Sequence, residues 1–344
     1  DIEIPEGIVE EVGRLHGFDN LPLELPARPA KPASRNSQLE LKNRIRNVLS
    51  AAGANEVLTY SFVHGNMLEK VGQSVEHAFE LSNALSPDLQ YFRTSLTPSV
   101  LELVHPNVKA GNQEFVLFEL GTVHTKLHAD ADEGLPKEFP VLSLVVAGEA
   151  TPGYYQARPY LDFLTKQLGV NLRYEALAYS KTEPKTQPFE ASRSANVIGV
   201  KSGDILGIIG ELKHSVLRGF KLPAGTAGFE IDLSQLAKLA RQNDYQKLSK
   251  YPSVQQDISL KLPATTSYQE LHDILAAELL GKTDTLASLT PLDIFQRSAY
   301  TQYKQLSFRL TISHYHKTLK SEEVNSLLDA AANVAHAKLN AERL

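Results

Sequence analysis

The chain has 344 residues, of which 42% are hydrophobic and 22% charged, and its net charge is −5. That length predicts two or three domains and that composition an ordinary globular protein, with no overall basic field to attract nucleic acid, although local patches stay open. No cysteine is present, which excludes disulfides, thiolate zinc sites and a cysteine nucleophile. No apolar run approaches the roughly 20 residues that span a bilayer, and no signal peptide is visible. We expect no membrane partner and a reducing, cytoplasmic location. The chain begins at Asp1 and its single methionine is Met67, so a fragment is expected.

In chain order, residues 7–17 carry Ile8, Val9, Val12 and Leu15 at helical spacing. Glu6, Glu10 and Glu11 lie towards the helix start, where negative charge is favoured. Residues 25–36, with three prolines, read as a stiff linker. Ser37 and Glu40 then predict a capping box, Leu41, Ile45, Val48, Leu49 and Ala52 an apolar stripe, and Gly53 the helix end. VLTYSFV (57–63) reads as a strand and 97–110 as a short helix. Strands follow at 115–123, 141–148, 196–201, 205–210 and 229–233, with KSGD (201–204) joining two of them as a hairpin. The pattern is α+β, an antiparallel sheet flanked by helices.

From about residue 247 the texture resets. Strands at 254–262, 285–295 and 305–314 and helices at 267–280 and 321–339 give βαββα, with room for a short last strand. This is the ferredoxin-like split βαβ order. Leu306, Phe308, Leu310 and Ile312 alternate with Ser307, Arg309 and Thr311, so one face is apolar and the other polar.

Four stretches carry a resemblance: DIEIPEGIVEEVGRLHGFDNLP (1–22), FRTSLTPSVLELV with FVLFELGTVH (92–124), LGIIGELKHSVLRGFKLP with FEIDL (206–233), and YPSVQQDISLKL with LSFRLTISH and LKSEEVNSLLDA (251–330). In that order and spacing the chain resembles the C-terminal half of the β subunit of bacterial phenylalanyl-tRNA synthetases. The resemblance implies four parts. Residues 1–24 would be the remnant of a small upstream domain and 25–36 a linker. Residues 37–246 would be a module with the class II synthetase catalytic fold, and 247–344 a ferredoxin-fold anticodon-binding domain. It further implies a ligase subunit that supports a catalytic α subunit and binds the tRNA for phenylalanine, with ATP handled only through the α subunit.

FRTSLTPSV is similar to the arginine–threonine turn of the catalytic subunit. There an arginine after the following glycine grips ATP phosphate, a task suited to a fixed, always-charged fork. Here Gly121 is followed by Thr122, Val123, His124, Thr125 and Lys126, and Thr125 stands where that arginine would fall. FEIDLSQLAKL (229–239) lacks the glycines and arginine of the third class II signature. We therefore expect no catalytic residues in this chain, and Arg93 to pin a turn or an interface. His105, His124 and His128 lack metal-ligand spacing and read as surface histidines. GIIGE (207–211) reads as a strand–turn rather than a phosphate loop, and DADE (130–133) as a solvated loop. Two other readings stay open: an independent class II-like ligase or transferase, which the missing arginine disfavours, and a stand-alone RNA-binding or scaffold protein built from synthetase modules.

The resemblance also places a weak magnesium site on Asp1, Glu10 and Glu11, with Gly7 departing from the family's aspartate. Acids in a first helical turn are equally favourable without a metal. In the last domain the polar sheet face presents Ser259, Lys261, Asp293, Phe295, Ser307, Arg309 and Thr311. Lys261, Asp293, Phe295 and Arg309 are the candidate RNA contacts: a ring to stack a base, cations for phosphate, an acid for a base edge. The alternative is that a loop such as 297–305 covers Phe295 and that Arg309 is a solvated strand charge.

Overall fold

A computed structural model describes residues 2–32, 34–128, 136–240, 247–296 and 302–344. The chain divides into two units, residues 1–40 and 41–344. In the first, α1 (Pro5–His16) has Pro5 in its first turn, where a missing N–H costs nothing, and ends at Gly17, whose φ of 88° suits glycine. Ile8, Val9, Val12 and Leu15, the helically spaced apolar set, are all exposed. The linker has no regular structure where it is described. The next helix, α2 (Ser37–Ala51), is capped by Asn36 rather than by the expected Ser37: the Asn36 Oδ1 accepts the Leu39 N–H at 3.0 Å.

The second unit continues with β1 (Asn55–Glu56), β2 (Phe62–Val63), α3 (Gly65–Lys70), β3 (Tyr91–Phe92), α4 (Thr97–Glu102), α5 (Val104–Lys109), β4 (Phe115–Val123), β5 (Phe139–Ala147), α6 (Tyr154–Gln167), β6 (Leu172–Ala176), β7 (Phe189–Gly199), β8 (Ile205–Leu212), α7 (His214–Phe220), β9 (Ala227–Asp232) and α8 (Leu233–Leu239). Seven of these strands form one sheet in the order β1-β4-β5-β9-β8-β7-β6. All its pairings are antiparallel except β1 with β4.

Alternation sends side chains to both faces of this sheet, and both faces are covered. Phe118, Leu144 and Phe229 pack with Ile45 and Leu49 of α2 and Leu161 and Leu164 of α6. On the reverse face Leu117, Val145 and Ile208 pack with Leu68 of α3, Val100 and Leu101 of α4, and Phe220 of α7. The single strand expected at 57–63 is not formed; only its last two residues enter a strand, β2. The helix expected over 97–110 is two helices parted at Leu103. GIIGE lies wholly within β8 and makes no turn.

The last part runs β10 (Val254–Pro263), α9 (Tyr268–Leu279), β11 (Thr285–Phe295), β12 (Tyr303–His314), α10 (Ser321–Leu339) and β13 (Glu342–Arg343). The sheet order is β11-β12-β10-β13, the expected βαββαβ layout. Ser267 and Glu270 cap α9 reciprocally. Ile258, Leu260, Leu306, Phe308, Leu310 and Ile312 form one buried face, against which α9 brings Leu271 and Leu275 and α10 brings Val324, Leu328 and Ala335. The opposite face of this sheet carries the polar alternates.

Candidate nucleic-acid interface

The arginine–threonine turn is buried from Arg93 through Thr97. The Arg93 Nε donates to the Thr122 carbonyl at 2.9 Å, and its Nη1 donates to the Thr59 Oγ1 at 2.8 Å and the Glu119 Oε1 at 2.9 Å. The Thr59 hydroxyl donates in turn to the Glu119 Oε2 at 2.7 Å. Gly121 leaves room for this: a Cβ there would stand 2.4 Å from the Arg93 Nη2. The Thr94 hydroxyl donates to the Gln73 Oε1 at 2.9 Å, and the Gln73 Nε2 donates to the Ser95 Oγ at 2.6 Å. The turn's next amides, of Leu96 and Thr97, donate to the Glu230 Oε2 at 3.0 and 2.8 Å, and the Thr97 hydroxyl adds a third bond at 2.7 Å. Burial pushes the Glu230 carboxyl above its usual range, partly offset by those donors. The polar groups of this turn thus bond to the fold itself.

The residues after Gly121 are closed too. Thr125 is buried, and its hydroxyl accepts the Leu127 N–H at 3.3 Å. His124, expected at the surface, is buried, with its ring edge-on to Phe92 at 4.5 Å. Burial lowers its pKa, and its Nδ1 lies 3.2 Å from the Lys137 carbonyl. A carbonyl only accepts, so the neutral ring carries its proton on Nδ1. DADE lies outside the described residues. A cleft of about 1230 Å³ opens elsewhere, lined by Arg158, Asp162, Tyr174, Tyr268 and His272. Three of its groups bond to one another: Tyr174 donates to Asp162 at 2.5 Å, and Arg158 donates to Asp162 at 3.2 Å while lying 4.4 Å over the Tyr174 ring. The buried Nδ1 of His272 has no hydrogen-bond partner among the described residues.

The outer face of the four-stranded sheet is different. Ala287, Leu289 and Pro291 of β11 lie opposite Ile312, Leu310 and Phe308, on the buried side. Simple alternation would carry Asp293 and Phe295 to that side as well. A bulge after Pro291 inserts one residue, so Asp293 pairs with Ser307 and Phe295 with Gln305, and both face outward. Phe295 is 49% exposed, and Tyr303, two residues before Gln305 on the same face of β12, is 46% exposed. Residues 297–301, part of the loop considered as a cover, lie outside the described residues.

Lys261 sits opposite Gln305, with its Nζ 4.7 Å from the centre of the Tyr303 ring and 3.6 Å from the Glu342 carboxylate. Arg309 is held by Asp257 across the strands: Nε to Oδ1 and Nη2 to Oδ2 are both 2.8 Å. That hydrogen bonding draws the Asp257 carboxyl below and the Arg309 guanidinium above their usual values. Asp257 and Tyr303 went unnoticed in the sequence, although both share the odd-numbered alternation that marks Ser259, Lys261, Ser307 and Arg309.

A family model described as the phenylalanyl tRNA synthetase beta chain CLM domain matches residues 21–233. The chain belongs to that family. A second model, the ferredoxin-fold anticodon binding domain, matches residues 249–343, which include the whole four-stranded sheet. Among curated relatives, the phenylalanine–tRNA ligase beta subunit of Clostridium acetobutylicum is 26% identical over 348 residues, 99% of this chain and 42% of its own length. That of Thermotoga maritima is 26% identical over 356 residues, 100% of this chain and 43% of its own. The chain therefore spans about two fifths of the length of these relatives. Among solved structures, the pyrrolysyl-tRNA synthetase of Desulfitobacterium hafniense is similar at 17% identity, with a TM-score of 0.46 over 67% of this chain and 74% of that one.

For this β-chain family member, three of the expected magnesium positions, Gly7, Glu10 and Glu11, lie on α1. Asp1 lies outside the described residues. Glu11 accepts a hydrogen bond from the Arg14 Nε at 3.1 Å, and Glu10 is its chain neighbour, turned about 100° away around the helix. Gly7 offers no side chain. Among the described residues no group of three acidic, histidine or cysteine side chains could hold a metal ion. Glu10 and Glu11 by themselves, without a further ligand, do not fit magnesium. Among the described residues, too, no helix is long and apolar enough to cross a membrane.

Proposed function

We propose that this chain acts as a non-catalytic part of a phenylalanine–tRNA ligase, supporting a catalytic α subunit and binding the tRNA for phenylalanine through the outer face of the β10–β13 sheet. The observation that carries the RNA-binding part is the pairing of an exposed aromatic end, Phe295 and Tyr303, with Arg309, Lys261 and Asp293 on one face, while β10 and β12 pack their reverse against α9 and α10. Bases stack on exposed rings, and arginine and lysine meet the backbone. Residues 247–344 hold 11 Lys+Arg against 10 Asp+Glu, so phosphate attraction alone is weak and stacking must contribute.

The absence of chemistry in this chain is supported by the buried arginine turn and by the two packed faces of the larger sheet. ATP would then stay with the α subunit. A stabilising oxyanion or phosphate clamp needs donors aimed at open space; here Arg93 aims at Glu119 and the Leu96 and Thr97 amides at Glu230. Magnesium would need Asp1 or a partner's ligands beside Glu10, and calorimetry on the assembled enzyme is its test. For the RNA face, Phe295→Ala should weaken tRNA binding by about 1–3 kcal/mol if the ring stacks a base, and Arg309→Ala should also weaken it. Unchanged tRNA affinity in a folded double variant would remove this face from consideration.

A further inference from the structure

Resting on that reading of the outer face, we propose that Asp257 is an internal competitor of RNA phosphate: its carboxylate fills the Arg309 fork in the free protein and must release it when RNA binds. The geometry is specific. Arg309 offers Nε and Nη2, the two donors that match a carboxylate or a phosphate side by side, and Asp257 accepts both at 2.8 Å. The two residues are direct cross-strand neighbours, so the sheet itself sets their spacing. Both side chains stay about half exposed, at 44% and 46%. Exchange of one oxyanion for another at such a site requires little desolvation, and an exposed pair of this kind is weak enough to open.

The consequence is electrostatic. An arginine that neutralises an RNA phosphate releases one condensed counterion and steepens the salt dependence of binding. If the same step bares Asp257, that carboxylate takes up a cation from solution and the gain cancels. The bared carboxylate also lies beside the incoming phosphate and repels it. Lys261 is similarly placed, 3.6 Å from Glu342. Two of the face's cations are thus offset by acids of the same face. Such an arrangement holds down adhesion to arbitrary RNA and leaves affinity to the aromatic end.

The test is binding of two probes, a fluorescein-labelled uridine octamer and a transcript of the tRNA for phenylalanine, to the full chain across a salt series. Asp257→Asn keeps the shape and removes the charge, and Asp257→Ser serves if the amide still bonds Arg309. We expect either variant to tighten binding roughly two- to fivefold and to steepen the slope of log affinity against log salt by about 0.7. Arg309→Ala added to Asp257→Asn should abolish both effects. Unchanged affinity in both Asp257 variants, with Arg309→Ala alone weakening binding, would overturn the competitor role. Weaker binding in the Asp257 variants would overturn it too, because it would mean that Asp257 orients Arg309 on bound RNA. If Phe295→Ala and Arg309→Ala leave both probes unaffected, the outer-face reading itself fails and Asp257 has no phosphate to compete with. A gain in Asp257→Asn that survives loss of Arg309 would be general charge removal and would equally refute the exchange.

Discussion

Arg93 illustrates how one residue can look catalytic and be structural. Its guanidinium is 4% exposed and pairs with Glu119, itself 2% exposed, at 2.9 Å. Removing one member of a buried pair leaves the other uncompensated. Arg93→Ala should therefore destabilise the fold by about 3–5 kcal/mol in denaturant titrations. Adding Glu119→Ala should restore part of that loss, and a double variant as unstable as the sum of the singles would contradict the coupling. Glu230 makes a second case. Its loss in Glu230→Ala strands the Leu96 and Thr97 amides and should cost about 1–3 kcal/mol. Because its folded-state pKa lies above the ordinary value of 4.5, its stabilising contribution is full below that value and falls as pH rises through the folded one. The melting-temperature gap between the parent and Glu230→Ala should be wider at pH 5 than at pH 8; a constant or growing gap would refute the sign. The sequence identifies Arg93 as a lone arginine with no phosphate-binding companions. It cannot show Glu230, whose bonds to the turn cross 133 and 134 residues of chain.

At the scale of elements, the alternation of β12 was legible because four apolar and three polar residues keep strict period two. The outward turn of Phe295 was legible only as a polar-face grouping; the bulge that produces it has no sequence signal beyond Pro291, a residue that interrupts a strand ladder. Two phenylalanines on one sheet give a direct comparison. Phe308 is fully buried and Phe295 is 49% exposed. Phe308→Ala should cost about 3–5 kcal/mol of stability, whereas Phe295→Ala should stay within about 0.5 kcal/mol. Equal losses would mean that Phe295 is packed. Other elements were hidden for physical reasons. The α6 helix carries Pro159 inside it, and a proline within a helical pattern argues against a helix. VLTYSFV alternates like a strand, yet Thr59 turns in to Glu119 and Arg93 while Leu58 and Tyr60 are exposed, so that side-chain bonding replaces a sheet ladder.

Across the whole molecule, the order of the elements was readable because two α+β patterns follow one another, with a change of texture between them. The presence or absence of an active site was not readable from that order, since one sheet architecture serves both. It depends on what fills the sheet's faces. Here α2 and α6 cover one face and α3, α4 and α7 the other, and the donors of the arginine turn bond to Glu119 and Glu230. ATP–pyrophosphate exchange with phenylalanine tests the proposed division of labour most directly. It should be run on the purified chain and again after adding a matching α subunit. The chain alone should show no phenylalanine-dependent exchange, and clear exchange should appear with the α subunit present. Sustained exchange by the chain alone, abolished by Arg93→Ala in a protein shown to remain folded, would contradict that division of labour.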